Sequence, residues 1–132
     1  MEERIRERLL DSADLRALVG SQVDWNARPQ GDALKAFSAI TLQVVSDIPG
    51  RVYSRASDGW RTARVMIECW GSTHKRSRDV AMLVDRLLNG YRAGLPGNKV
   101  RVFTDARTGD TDEVAGTTVH RQILTIFVHY QP

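Results

Sequence analysis

The segment RVMIECWGSTHKRSRDVAMLVDRLL, residues 64–88, changes its hydrophobic period in a single step. Up to the tryptophan the pattern alternates, with Ala63, Val65, Ile67 and Cys69 on one side and Thr62, Arg64 and Glu68 on the other. A strand with one buried face requires that alternation. From Val80 onward, Leu83, Val84, Leu87, Leu88 and Tyr91 keep i, i+3, i+4, i+7 spacing, which is a helix laid on a core. Between the two patterns, Gly71-Ser72-Thr73 provides a turn in which Ser72 or Thr73 can serve as the N-cap. A strand that runs straight into an amphipathic helix commits the chain to a layer of sheet covered by a layer of helix.

The rest of the chain fits that frame. Glu2 to Val19 reads as an amphipathic helix with Ile5, Leu9, Leu15, Leu18 and Val19 on its apolar side and Glu3, Arg4, Glu7 and Arg8 facing water. Asp11 or Ser12 can break and re-cap this helix, and Gly20 stops it. A short extended piece, Val23 to Arg28, precedes Pro29, and QGDALKAF turns the chain into SAITLQVVS. There Ile40, Leu42 and Val44 alternate with Thr41 and Gln43 as a second half-buried strand. DIPGRVYSRASDGW, Asp47 to Trp60, has Pro-Gly and Asp-Gly turn signals and reads as a long exposed loop or projecting hairpin. Asn89-Gly90 and GLPGN end the second helix, KVRVFT resumes a strand, and DARTGDTDEVAGTT reads as another hairpin or loop, about 104–118. VHRQILTIFVHY closes the chain as a long strand with Leu124, Ile126, Val128 and Tyr130 on one face. The sum is one α+β domain over residues 1–132, a largely antiparallel sheet of about four to five strands with two helices packed on one face.

At 132 residues the chain is long enough for a core that needs neither disulfide nor metal. Its 42% hydrophobic and 27% charged residues are those of a globular domain. The net charge of +3 spreads an Arg surplus along the sequence and gives little reason to infer a polyanion partner. One cysteine, Cys69, excludes an intrachain disulfide and multi-cysteine zinc motifs, consistent with a reducing compartment. No apolar run approaches the roughly 20 residues that span a bilayer, and the amino terminus has no signal-peptide h-region. The expectation is a protein made in the cytoplasm that has no membrane partner.

None of the candidate chemical sites is strong. Gly71-Ser72-Thr73 followed by His74, Lys75, Arg76 and Arg78 resembles an anion site at a helix N-terminus. It lacks the further glycines and the GK[ST] ending of the nucleotide loops, and a helix cap explains the turn more simply. His120 and His129 are an odd number of residues apart on one strand and fall on opposite faces, while His74 has no ligand at metal spacing. Cys69, on the buried face, reads as an inert small hydrophobe. Asp110, Asp112 and Glu113 sit in a polar stretch where solvation explains them. The expectation is no catalytic residue, no cofactor and no metal. Arg51, Tyr53, Arg55 and Trp60 are a different matter, because arginine and aromatic side chains carry protein interfaces. The same residue types also suit a plain surface loop or a single-stranded nucleic acid.

Taken together, the opening helix with DSADLRALVG, the turn ARPQGDALKAFSAITLQVVS, the unit RVMIECWGSTHKRSRDVAMLVDRLL and the ending VHRQILTIFVHY resemble the tail-completion or tail-terminator proteins of long-tailed bacteriophages and phage-like gene transfer agents. The likeness spans nearly the whole chain, and the strand ending in ECWG that runs into the helix is its most specific part. What the resemblance implies is structural work. Such a protein, made in the bacterial host cytoplasm, caps the tail tube at its final length at the neck end of the virion tail, usually as a hexameric ring. Its partners would be further copies of itself, the tail tube protein and a head-completion or neck protein, with DNA met only as it passes through the channel. On this expectation the loops 47–60 and 104–118 dock, and Arg51, Tyr53, Arg55, Asp58, Trp60, Arg64 and Glu68 are the contact residues, with Thr41 and Gln43 on a face that can meet a neighbour. Another neck component, such as a head-closure protein, or a small basic nucleic-acid-binding module are the alternative readings.

Overall fold

In the computed structural model, residues 1–20, 23–25, 38–49, 60–94, 99–114 and 117–131 are described. Among the described residues three helices, α1 (Glu2–Leu10), α2 (Ala13–Val19) and α3 (His74–Leu88), accompany six strands. These are β1 (Val23–Trp25), β2 (Ala39–Pro49), β3 (Arg61–Gly71), β4 (Arg92–Ala93), β5 (Val100–Val114) and β6 (Thr117–Tyr130). They form one sheet in the order β1-β2-β3-β6-β5-β4. Only β1 runs parallel to its neighbour, β2, and the other pairings are antiparallel.

The α+β class holds, with one more helix and at least one more strand than the sequence indicated. The first helix divides where a break was open to Asp11 or Ser12, and Ser12 makes the cap, its hydroxyl accepting from the Leu15 amide at 3.3 Å. The added strand, β4, occupies only Arg92–Ala93 within a stretch that reads as turn. Two residues are too few to show a period, so no pattern could reveal it.

Of the two readings open for the polar segments, loop or hairpin, the described residues favour the hairpin. Residues 47–49 belong to β2, paired with Arg61, Thr62 and Ala63. Residues 104–114 continue β5, paired with β6 as far as Val114 opposite Thr117. Such strands look like loops in sequence because their side chains are polar, and cross-strand backbone bonds, which leave no trace in composition, hold them. Beyond Gly71 opposite His120, β3 no longer flanks β6, and the last β5–β6 pairs extend as a two-stranded ribbon.

The buried side of the sheet is the one the alternation predicts. Ala63, Val65, Ile67 and Cys69 cluster with Leu124, Ile126, Val128, Val100, Val102, Ile40 and Leu42, under Ile5, Leu9, Leu15 and Val19 of α1 and α2 and Val80, Ala81, Val84 and Leu88 of α3. Each such side chain removed from water contributes roughly 1.5–3 kcal/mol before entropy is subtracted. Polar contacts fix the helices in place. Arg6 donates to the Val23 carbonyl at 2.9 Å, and Arg8, which the helical pattern put in water, donates to the Leu87 carbonyl at 3.1 Å with its guanidinium 4.8 Å from the centre of the Tyr91 ring. A cation at the end of α3 also suits the helix dipole. Thr104 donates from its hydroxyl to Asp85 at 2.6 Å and from its amide to Asn89 at 3.1 Å, tying β5 to the same helix end.

Bulges at Val45 in β2 and Asp105 in β5 lie at one level, beside the central pair Val65 and Ile126. Each bends its strand and adds twist, so the sheet curls around its helices. At the base of the β2–β3 hairpin, the Asp47 carboxylate accepts a short hydrogen bond from the Tyr130 hydroxyl and pairs with Arg61 at 3.0 Å. Burial, followed by the Asp47 carboxylate, raises the Tyr130 phenol above its ordinary value of 10.0.

Where β3 meets α3 the backbones touch. A Cβ on Gly71 would lie 2.6 Å from the Ser77 amide nitrogen, and neither backbone can yield without moving helix or strand. We expect Gly71→Ala to cost about 1–3 kcal/mol, and Thr73→Ala, which removes the α3 cap, to cost about 1 kcal/mol, both read from urea midpoints. For Tyr130 the folded pKa lies above the unfolded one, so its contribution is full below pH ~10 and is lost as pH rises through the folded value. Denaturation from pH 8 to 11 should therefore show wild type losing its stability advantage over Tyr130→Phe at the alkaline end; parallel curves for the two proteins would contradict this account of Tyr130.

Candidate functional site

The turn that feeds α3 resolves in favour of capping. Thr73 is the N-cap, its hydroxyl accepting from the Arg76 amide at 3.2 Å, while Arg76 turns its guanidinium back onto the Ser72 hydroxyl at 3.2 Å. Ser77, fully buried, donates to the His74 carbonyl at 2.9 Å. These side chains serve the turn itself, and the glycine that suggested a phosphate loop is accounted for by backbone contact with the helix.

The reactive side chains are dispersed. Cys69 is buried, which pushes its thiol up to about 12 and keeps it protonated. His129 faces Thr62 at 2.9 Å and touches the edge of Phe103. His120 lies at the other end of β6, opposite Gly71, with its ring centre 6.2 Å from that of His74. Among the described residues no group of three or more His, Cys, Asp or Glu side chains gathers at metal-holding distance.

The feature that stands out is the second face of the sheet, which the helices among the described residues do not cover. It carries Thr62, Arg64, Met66, Glu68 and Trp70 from β3, Arg121, Ile123, Thr125, Phe127 and His129 from β6, and Arg101 and Phe103 from β5. At the Trp70 end, where the centre of the indole lies 5.3 Å from the Arg121 guanidinium, the face is buried. Met66, Ile123 and Phe127 are half-buried by their neighbours. Phe103 is 41% exposed, and Ile48, on the same face of β2, is 58% exposed. Ion pairs thread this apolar surface. Arg121 donates to Glu68 at 3.2 Å with both side chains largely buried, and Arg64 reaches Asp105 at 3.5 Å while its guanidinium lies 5.8 Å from the centre of the Phe127 ring. Arginine and aromatic side chains set among apolar ones are the composition of an interface core.

Of the residues expected to make contacts, Trp60, Arg64 and Glu68 come together on this face, spaced along and just before β3. Trp60 is half-buried beneath Arg101, 5.2 Å from guanidinium carbon to ring centre. Arg51, Tyr53, Arg55 and Asp58 lie outside the described residues. Thr41, nearly buried, and Gln43, exposed, extend the face onto β2. Sequence reasoning did not single out Phe103, Ile123, Phe127 and Met66. Their alternation with core residues was legible, but an apolar side chain at an outward position reads as scatter until the neighbouring strands place several of them side by side.

The profile of the family described as "Tail completion protein gp17" matches residues 3–129. Among solved structures, a chain from "Virion of native gene transfer agent (GTA) particle" superposes with a TM-score of 0.72 at 16% identity, covering 97% of this chain and 92% of its own. A second solved chain superposes with a TM-score of 0.55 at 15% identity over 100% of this chain and 97% of its own. At these identities the two structures establish a shared fold. No protein of curated function matches the sequence. The family match runs from the first turn of α1 to the penultimate residue of β6, and this chain belongs to the gp17 family of phage tail completion proteins.

Proposed function

We propose that this protein caps the tail tube once it has reached its final length and offers the surface to which the head is joined, working as a closed ring of about six copies. The observation that carries the reading is the family match over residues 3–129. The open sheet face is the physical feature that suits it. A ring needs each subunit to present contact surfaces to its neighbours, and the mixed apolar and arginine-rich face of β3, β6 and β5 has that character. The ribbon at the end of β5 and β6 points the same way. A two-stranded hairpin is marginal in water by itself, and assembly would give this one something to rest on.

In this reading the partners are further copies of the chain, the tail tube protein and a head-completion or neck protein, at the neck end of the virion tail. The segment holding Arg51, Tyr53, Arg55 and Asp58 is a docking element for the tube or a neighbour, with Trp60, Arg64 and Glu68 beside it. DNA is met in the channel. The work is positional, and no side chain is assigned a catalytic role.

Light scattering coupled to size exclusion tests the ring. A species near six subunits is the expected result, either for the protein alone or after purified tail tubes are added. Ile48→Glu combined with Phe103→Glu, which puts charge on the two most exposed apolar positions of the open face, should abolish that species while leaving the circular dichroism spectrum unchanged. A chain that stays monomeric at every concentration and fails to sediment with tubes would overturn the proposal, and a double variant that assembles normally would remove the open face from it.

A further inference from the structure

At one corner of the open face three cations stand together without a carboxylate. Arg92 of β4 and Arg101 of β5 are direct cross-strand partners, and Lys99 lies two residues before Arg101, hence on the same side of the chain. With Ala93, Gly94 and Val100 they line a cavity of about 280 Å³. Like charges set directly opposite one another in an antiparallel ladder destabilise it. The edge pairing is only two residues long, and the backbone bonds beside it, Gly90 to the Val102 carbonyl and Val102 to the Tyr91 carbonyl at 2.9 Å each, hold it against this repulsion.

The contrast with the adjoining strands sharpens the point. Each arginine of β3 and β6 has an acidic partner: Arg61 pairs with Asp47, Arg64 with Asp105 and Arg121 with Glu68. None of Arg92, Lys99 and Arg101 pairs with a carboxylate among the described residues. Arg101 is instead held over the Trp60 ring, a contact that orients its guanidinium and leaves its donors available. Oriented arginines with free donors suit the bidentate geometry of a phosphate.

We infer that the Arg92, Lys99 and Arg101 corner is a binding site for the phosphate backbone of duplex DNA. Three cations brought to one pocket by the β4–β5 pairing, with no acid among its lining residues, match a ligand whose charges recur every ~1.7 Å along its axis. An acidic protein surface usually intersperses its carboxylates with cations and would meet such a cluster less completely. The contacts go to phosphate and not to bases, so the site takes any sequence. The inference stands on the corner alone and does not depend on ring formation.

The test is the fluorescence anisotropy of a labelled duplex of about 20 bp, two helical turns, titrated with the full chain from about 50 to about 200 mM salt. Three phosphate contacts predict a slope of log K against log salt of about −2.7 per bound chain. Arg92→Ala and Arg101→Ala should each weaken binding several-fold at low salt and reduce that slope by about 1, whereas Arg16→Ala, at an exposed position of α2 on the helix side of the sheet, should leave it unchanged. A second readout is the melting temperature. Inorganic phosphate should raise that of wild type more than that of Arg92→Ala. Absence of binding at low salt, slopes that do not change in Arg92→Ala and Arg101→Ala, or competition by polyglutamate as effective as by unlabelled duplex would each overturn the inference, the last assigning the corner to an acidic protein.

Discussion

The register between β3 and β6 is the constraint on which the remaining structure depends. It pairs Arg61 with Tyr130 and Gly71 with His120 without interruption. It aligns Ala63, Val65, Ile67 and Cys69 with Val128, Ile126, Leu124 and Gln122, so that one face of the two central strands is apolar over almost its whole length. A slip of one residue would turn Arg64 and Glu68 toward the helices and Val65 and Ile67 outward. The core, the seat of all three helices and the composition of the open face follow from this pairing. The two bulges lie on its flanks at one level, where they curl the outer strands without disturbing the centre.

Once one face is assigned to the helices, the other has to be tolerable in water or covered by something else. Here it is a compromise. Met66, Ile123 and Phe127 are half-shielded by the arginines and carboxylates between them, while Phe103 and Ile48 are not. The buried Arg121–Glu68 pair holds charge where a purely stabilising design would place apolar side chains, since desolvation offsets much of its attraction. Such a surface keeps charge at its exposed positions and still has apolar area for a partner to bury, which suits the proposed assembly role.

The basic corner adds a separate property to the same face. Its repulsion sits on the shortest strand pairing in the sheet, at the edge, where the cost to the core is least. The edge position also leaves the cluster open to a long polymer, which a site within a closed cavity would not be. The proposed interface and the inferred phosphate site thus share one side of the sheet, the first at its centre and the second at its rim.

Much of this was legible in residue order. Alternation in β2, β3 and β6 and the 3.6-residue period of α3 gave the buried faces, because burial on one side imposes a period on the sequence. A cap at Asp11 or Ser12 and another at Ser72 or Thr73 were legible too, because a side-chain oxygen before a helical run answers unpaired amides locally; the structure selects Ser12 and Thr73. The fate of the polar segments at 47–49 and 104–114, the two-residue β4, the reach of Arg8 to the end of α3 and the meeting of Arg92 with Arg101 were decided only in the tertiary structure. All of these are pairings between residues whose partners the local sequence does not name. The sequence by itself determined which side chains avoid water, since that is a property of each residue and its period. The tertiary structure decided which of the remaining side chains stand next to one another, since that depends on strand order and register, and both the open face and its basic corner arise there.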